Sequence, residues 1–162
     1  MTLLILSLGS NVDAQANIRL AMQSLRKEFG EIKQSIVYES EAVGFEGENF
    51  LNLTVSIESD LSLEAINSFL KGLEDSLGRD RNQPRFSDRP IDIDILIFGE
   101  ENGKDYGLDL PRAEILHNAF VLRPLAEVHP LLLHASSEVS YGEHWRQFDK
   151  AKQKLWPTDL SF

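Results

Sequence analysis

Asp92 and Asp94 stand two residues apart in the run Ile91-Asp92-Ile93-Asp94-Ile95-Leu96-Ile97-Phe98. Alternation of β-branched residues with aspartates is a period-two strand signal. It projects both carboxylates from one face and sends Ile91, Ile93, Ile95 and Ile97 into a core on the other. Residues at this spacing lie about 6.6 to 6.8 Å apart along a strand, close enough for their carboxylates to lean together over one or two ions. Aspartate is depleted in strands and neighbouring like charges repel, so the pair calls for a cation. Hard oxygen ligands of this kind suit magnesium bridging to substrate phosphates. The competing reading is a solvated strand face on which the aspartates only keep the sheet soluble.

Directly upstream, Arg79, Arg81, Arg85 and Arg89 concentrate positive charge in a chain whose formal net charge is -10. Guanidinium forks match phosphate oxygens bidentately, and phosphoryl transfer is largely positioning plus charge neutralisation, so arginines beside a carboxylate pair point to a polyphosphate. Compensation of Asp80 and Asp88 is the alternative. Gly9-Ser10-Asn11, after an apolar run, could bring backbone amides close to a ligand, although an ordinary tight turn has the same composition. There is no Walker A sequence, because Gly103-Lys104 is followed by aspartate. The four histidines show no ligand spacing and none is assigned to a metal.

The elements that must carry these residues fit one domain spanning residues 1–162, long enough to bury a sizeable core. Apolar content of 42% with 26% charged residues is ordinary for a soluble protein. The acidic balance argues against a nucleic-acid or anionic-membrane binder, which needs a basic face. With no cysteine, disulfides, thiolate metal sites and cysteine nucleophiles are excluded, which fits a cytoplasmic setting. Met1 to Leu8 is too short to span a bilayer and lacks a basic leader, so it reads as a first strand.

A helix follows with Ile18, Ala21, Met22, Leu25 and Phe29 at helical spacing and Gly30 as its stop. Ile32 to Tyr38 reads as a second strand, Glu39 to Asn49 as a loop, and Phe50 to Ile57 as a third strand with Leu51, Leu53, Val55 and Ile57 on one face. Ser62 caps a helix striped by Leu63, Ile66, Leu70, Leu73 and Leu77, with Glu74 bordering the buried face. Beyond the aspartate strand come a polar turn from Gly99 to Gly107, an edge segment Leu108 to Leu110, a short helix opened by Pro124, and a last amphipathic helix from Gly142 to Leu155. The order strand, helix, strand, strand, helix, strand is the split βαβ plan of an α+β ferredoxin-like sandwich. It implies a mainly antiparallel sheet with helices on one face and C-terminal additions, and an opposite face left free to carry Asn52, Asp92 and Asp94.

In this order and spacing, Ser7-Leu8-Gly9-Ser10-Asn11, Phe50-Leu51-Asn52, Glu74 with Gly78-Arg79, Arg89-Pro90-Ile91-Asp92-Ile93-Asp94-Ile95 and Ala119-Phe120-Val121-Leu122 with Pro124-Leu125 resemble the 6-hydroxymethyl-7,8-dihydropterin pyrophosphokinase family of folate biosynthesis. The resemblance implies transfer of the β,γ-diphosphate of ATP to the pterin hydroxymethyl group, with AMP as second product. Asp92 and Asp94 would hold two Mg2+ ions. Phe50 and Phe120 would sandwich the pterin, Asn52 would bond its edge, and Ser40 and Val43 would add contacts. Glu74 and Arg79 would line the nucleotide site. Arg81 and Arg89 would meet phosphates from a closing loop that carries Phe86. The implied protein is a monomeric cytoplasmic enzyme with small-molecule partners.

Three positions depart from the family pattern. Ser87-Asp88 replaces Gly-Pro, Pro111-Arg112-Ala113 replaces a Pro-His pattern, and Asn118 stands where a phosphate-binding arginine is expected. Losing one charged hydrogen-bond partner costs roughly 1.5 to 3 kcal/mol, and Arg112 or Arg123 are the cations available to compensate. Three other readings stay open: a divergent paralogue with altered nucleotide or acceptor, a two-metal nucleotidyltransferase, and a non-enzymatic ligand-binding domain.

Overall fold

The computed structural model describes residues 1–78, 82 and 88–162. In chain order they form β1 (Thr2–Ser10), α1 (Ala14–Phe29), β2 (Lys33–Gln34), β3 (Tyr38–Ser40), β4 (Phe50–Ser59), α2 (Leu63–Ser76), β5 (Asp92–Phe98), β6 (Gly103–Asp105), β7 (Leu108–Leu110), a 3-10 turn (Ala113–Leu116), α3 (Ala119–Val128), α4 (Tyr141–Gln147) and β8 (Leu155–Pro157). The main sheet runs β5-β1-β4-β3-β8 with β2 also on β4, and every pairing is antiparallel. The split βαβ order and the α+β class expected from the sequence are both present.

β1 lies inside the sheet, between β5 and β4, and both of its faces are buried. Leu4, Leu6 and Leu8 point to α1 and α2, where they meet Ile18, Met22, Leu25, Ile66 and Leu70, while Ile5 points the other way. Each leucine so enclosed contributes about 1.5 to 3 kcal/mol of transfer free energy. The helix signals hold: α1 gives way to Gly30 at φ 80°, and Ser62 Oγ accepts the Ala65 N–H at the start of α2.

The opposite face is not left free. α3 covers part of it, burying Val121, Leu122 and Leu125 with Ile5, Leu96, Ile97 and Tyr141. Pro124 lies inside α3 rather than opening it. An interior proline costs about 3 kcal/mol, and the apolar residues that α3 buries offset this. Ile97 also departs from the simple alternation. The pairing of β1 with β5 shifts register between Ile5 and Leu6, so one extra residue enters β5 and Ile97 turns towards α3.

The strand expected over Ile32 to Tyr38 divides into β2 and β3, because the Ser35 side chain intervenes: its Oγ accepts the Thr54 N–H at 3.0 Å. The segment Leu108 to Leu110 pairs with β6, inside the expected polar turn, as a separate two-stranded sheet. The last helix ends at Gln147, not Leu155. Phe148 is extended, Lys150 Nζ donates to the Trp145 and Arg146 carbonyls, and Asp149 Oδ1 accepts the Ala151 N–H, a local turn that competes with helix. β8 then adds to the edge of β3. No helix among the described residues is long and apolar enough to cross a membrane.

Candidate active site

Strand register brings the chemistry together. Gly9 is paired with Asp92 on one side and Asn52 on the other, and Ser7 with Asp94 and Thr54. Asp92, Gly9 and Asn52 therefore form one row across the sheet face, and Asp94, Ser7 and Thr54 form the next. A Cβ on Gly9 would stand 3.5 Å from Asn52 Oδ1 and 3.9 Å from Phe50 Cδ1, so the missing side chain keeps the floor low between them. Above this floor is a cavity of about 640 Å³, in the size range of small-molecule sites.

Ser40, Val43, Phe50, Asn52 and Phe120 line one part of the cavity, and Arg89, Asp92, Asp94 and Arg112 line another. Asn52 Nδ2 donates to Ser40 Oγ at 2.9 Å and to the Tyr38 carbonyl at 3.3 Å, which fixes the orientation of the amide. Arg89 is held in place by Asn11. The Asn11 N–H donates to the Arg89 carbonyl at 3.0 Å, and Asn11 Oδ1 accepts the Arg89 N–H at 2.7 Å. Asn11 Nδ2 also donates to Asp88 Oδ1 and to the Glu48 carbonyl. Gly9-Ser10-Asn11 thus anchors two chain segments at the cavity rim, and the Asp88 carboxylate is engaged by Asn11.

Glu74 does not line this cavity among the described residues. It is 5% exposed, and its Oε2 accepts the Ile93 N–H at 2.8 Å, tying α2 to the edge strand β5 between the two aspartates. Arg79, Arg81 and Phe86 lie outside the described residues. Arg123 also sits elsewhere: its guanidinium stacks over the Tyr38 ring at 4.8 Å and the Trp145 ring at 5.8 Å.

Burial, and then the neighbouring Asp92 carboxylate, push the Asp94 pKa up to about 8, against the opposing pull of Arg112. Arg112 Nη2 stands 3.7 Å from Asp94 Oδ1 and 2.9 Å from Glu114 Oε1, while its buried Nε has no hydrogen-bond partner among the described residues. Sequence reasoning missed Glu114, Phe45 and His117, all of which line the cavity, whereas Gly9, expected in a turn near a ligand, lines it too. Phe45 meets Phe50 edge to face, with centroids 6.3 Å apart. A Glu two residues after Arg112 was the one available signal for Glu114.

Among the described residues no group of three or more His, Cys, Asp and Glu side chains could hold a metal ion by itself. The aspartate pair offers two hard oxygen donors on one face. That donor set fits magnesium, which keeps waters and takes its other ligands from substrate phosphates.

The family model described as 7,8-dihydro-6-hydroxymethylpterin-pyrophosphokinase (HPPK) matches residues 5–130. The chain belongs to the HPPK family. It is 35% identical over 127 residues to the 2-amino-4-hydroxy-6-hydroxymethyldihydropteridine pyrophosphokinase of Bacillus subtilis, covering 76% of this chain and 75% of that one. The enzyme of the same name from Porphyromonas gingivalis is 36% identical over 138 residues, covering 82% of this chain and 94% of the other. An HPPK-DHPS crystal structure in complex with substrates superposes with a TM-score of 0.72 at 14% identity, over 93% of this chain and 44% of that chain. Wild-type Plasmodium falciparum HPPK-DHPS with pteroate gives 0.71 at 15% identity, over 91% of this chain and 42% of that chain. The present chain spans less than half the length of these structures, and at such identity they show a shared fold. All the cavity residues named above fall inside the HPPK match, whereas residues 131–162 lie beyond it.

Proposed function

We propose that this chain, acting as a single-domain monomer in the cytoplasm, transfers diphosphate from ATP to the hydroxymethyl group of 6-hydroxymethyl-7,8-dihydropterin. The products are the pterin diphosphate and AMP, a step of folate biosynthesis. One observation carries the reading: the aspartate pair of β5 and the Phe50, Asn52 and Phe120 pocket open into the same cavity across the bare floor at Gly9.

In this reading the pterin ring lies between Phe50 and Phe120, with its polar edge at Asn52 and Ser40 and with Val43 beside it. Its hydroxymethyl group then points along the floor towards Asp92 and Asp94. These two carboxylates would hold Mg2+, two ions in this reading, and the metal would supply neutralisation of the phosphate charge there. The acceptor oxygen attacks the β-phosphorus, the bond from that phosphorus to the α,β-bridging oxygen breaks, AMP leaves, and the hydroxyl proton is released. Arg89 and Arg112, with Arg79 and Arg81, meet the phosphates, and Phe86 adds a pterin contact. Glu74 acts at one remove, by holding β5.

The nucleotide end supports a second reading, a relative with altered nucleotide or acceptor preference, because Arg112 is engaged with Asp94 and Glu114 while Asn118 lines the cavity without a charge. Incubation with ATP, Mg2+ and 6-hydroxymethyl-7,8-dihydropterin, followed by identification of the products, separates the two. AMP with pterin diphosphate is expected; pterin binding without AMP formation favours the second reading, and no pterin binding overturns both.

A further inference from the structure

We infer that residues 153–162 form a strap that fixes the spacing of the two walls of the substrate cavity, with Gln153 as its positioning residue. The inference rests on the pterin reading of that cavity. α3 starts at Ala119 with no side-chain cap from Asn118. The first N–H groups of a helix have no intrahelical acceptor and need one from elsewhere. Gln153 supplies it: its Oε1 accepts the Ala119 N–H at 2.7 Å, and its Nε2 donates to the His117 carbonyl at 3.0 Å. Both ends of one amide are therefore used on the residues that flank Asn118, immediately before Phe120.

Two residues further on the chain becomes β8, in which Leu155 pairs with Ser40, Trp156 with Glu39 and Pro157 with Tyr38. Thr158 continues the attachment, its N–H and Oγ1 both donating to the Val37 carbonyl at 2.9 and 2.8 Å. The far end is pinned to α1: the Phe162 ring lies under the Arg19 guanidinium, and its carbonyl accepts from Arg26. One short segment thus grips the start of α3, with Phe120, and strand β3, with Ser40. A two-residue span reaches at most about 7 Å even when extended, so the walls cannot part while both anchors hold. The segment lies outside residues 5–130, the part matched by the family model.

The test compares wild type with Gln153→Ala and Gln153→Glu. Glutamate keeps the acceptor for the Ala119 N–H at a helix N-terminus, where negative charge is favourable, but gives up the donor to the His117 carbonyl. Pterin affinity is measured by fluorescence titration without nucleotide, amide exchange is followed over residues 117–122, and thermal unfolding serves as control. Gln153→Ala is expected to weaken pterin binding about tenfold and to speed exchange at Ala119, with the unfolding temperature lowered by only about a few degrees. Gln153→Glu, which keeps one of the two bonds, should restore part of the affinity. Unchanged affinity and exchange in Gln153→Ala overturn the strap, as does equal weakening in both variants. If wild type itself binds no pterin, the pterin reading fails, and exchange at Ala119 alone decides whether Gln153 holds the wall.

Discussion

Asp94 is the side chain whose surroundings most resist its ordinary state. A carboxylate on a strand beside a second carboxylate, and partly shielded from water, is stabilised only by charge brought to it. Arg112 at 3.7 Å supplies part of that charge. Replacing Asp94 by asparagine keeps the shape and removes a hard donor, so turnover with ATP and Mg2+ should fall at least about a hundredfold. Pterin affinity, assigned in the proposed function to the Phe50, Asn52 and Phe120 end, should change much less. A variant with wild-type turnover would remove Asp94 from the metal site. Asn118 poses the reverse question, since it lines the cavity without carrying charge. For Asn118→Arg the ATP KM should drop by about tenfold or more, the worth of one charged hydrogen bond. No change in ATP affinity would mean that Arg112 already fills this role.

At the scale of elements, the aspartates are only as well placed as β5, an edge strand of the sheet. Glu74 reaches from α2 to accept the Ile93 N–H between them. Glu74→Ala leaves that buried donor without this acceptor, so urea unfolding should show a loss of roughly 1 to 3 kcal/mol. Glu74→Gln, which retains an amide oxygen, should lose much less; equal losses would show that the Ile93 bond is not what matters.

The sequence displayed this strand plainly because alternation of isoleucine with aspartate has one sensible solution for a sheet with a buried face. It did not display the turn of Ile97 towards α3, which arises from the register against Ile5 and Leu6 and not from composition. The pocket residues Phe50, Asn52 and Phe120 were visible through the family pattern. Gly9 was visible as a turn residue near a ligand but not as the floor between Asp92 and Asn52, and Glu114 was not visible, since a floor and a counter-charge are defined by neighbours on other elements. β8 was hidden for the same reason. Trp145, Phe148 and Leu155 have helical spacing, but Leu155 belongs to a strand whose partner, β3, lies far away in the chain.

Across the whole molecule, an excess of acidic residues and a shielded carboxylate pair couple folding, protons and magnesium. An aspartate in the unfolded chain loses its proton near pH 3.9, as a typical value, whereas burial and Asp92 hold the Asp94 pKa up at about 8 in the fold. Between these values the unfolded state binds fewer protons than the folded one, so metal-free stability should decline as pH rises through that window. If the pair holds magnesium as proposed, the ion would bind its ionised form in the folded state and should return the lost stability, by an amount that grows with pH. Thermal unfolding with and without millimolar Mg2+, at about pH 5 and about pH 8, checks this directly. The Mg2+-induced rise in Tm should be larger at the higher pH and should shrink in Asp94→Asn. A rise of equal size at both pH values would show that the pair is already ionised without metal, and would transfer the charge compensation to Arg112.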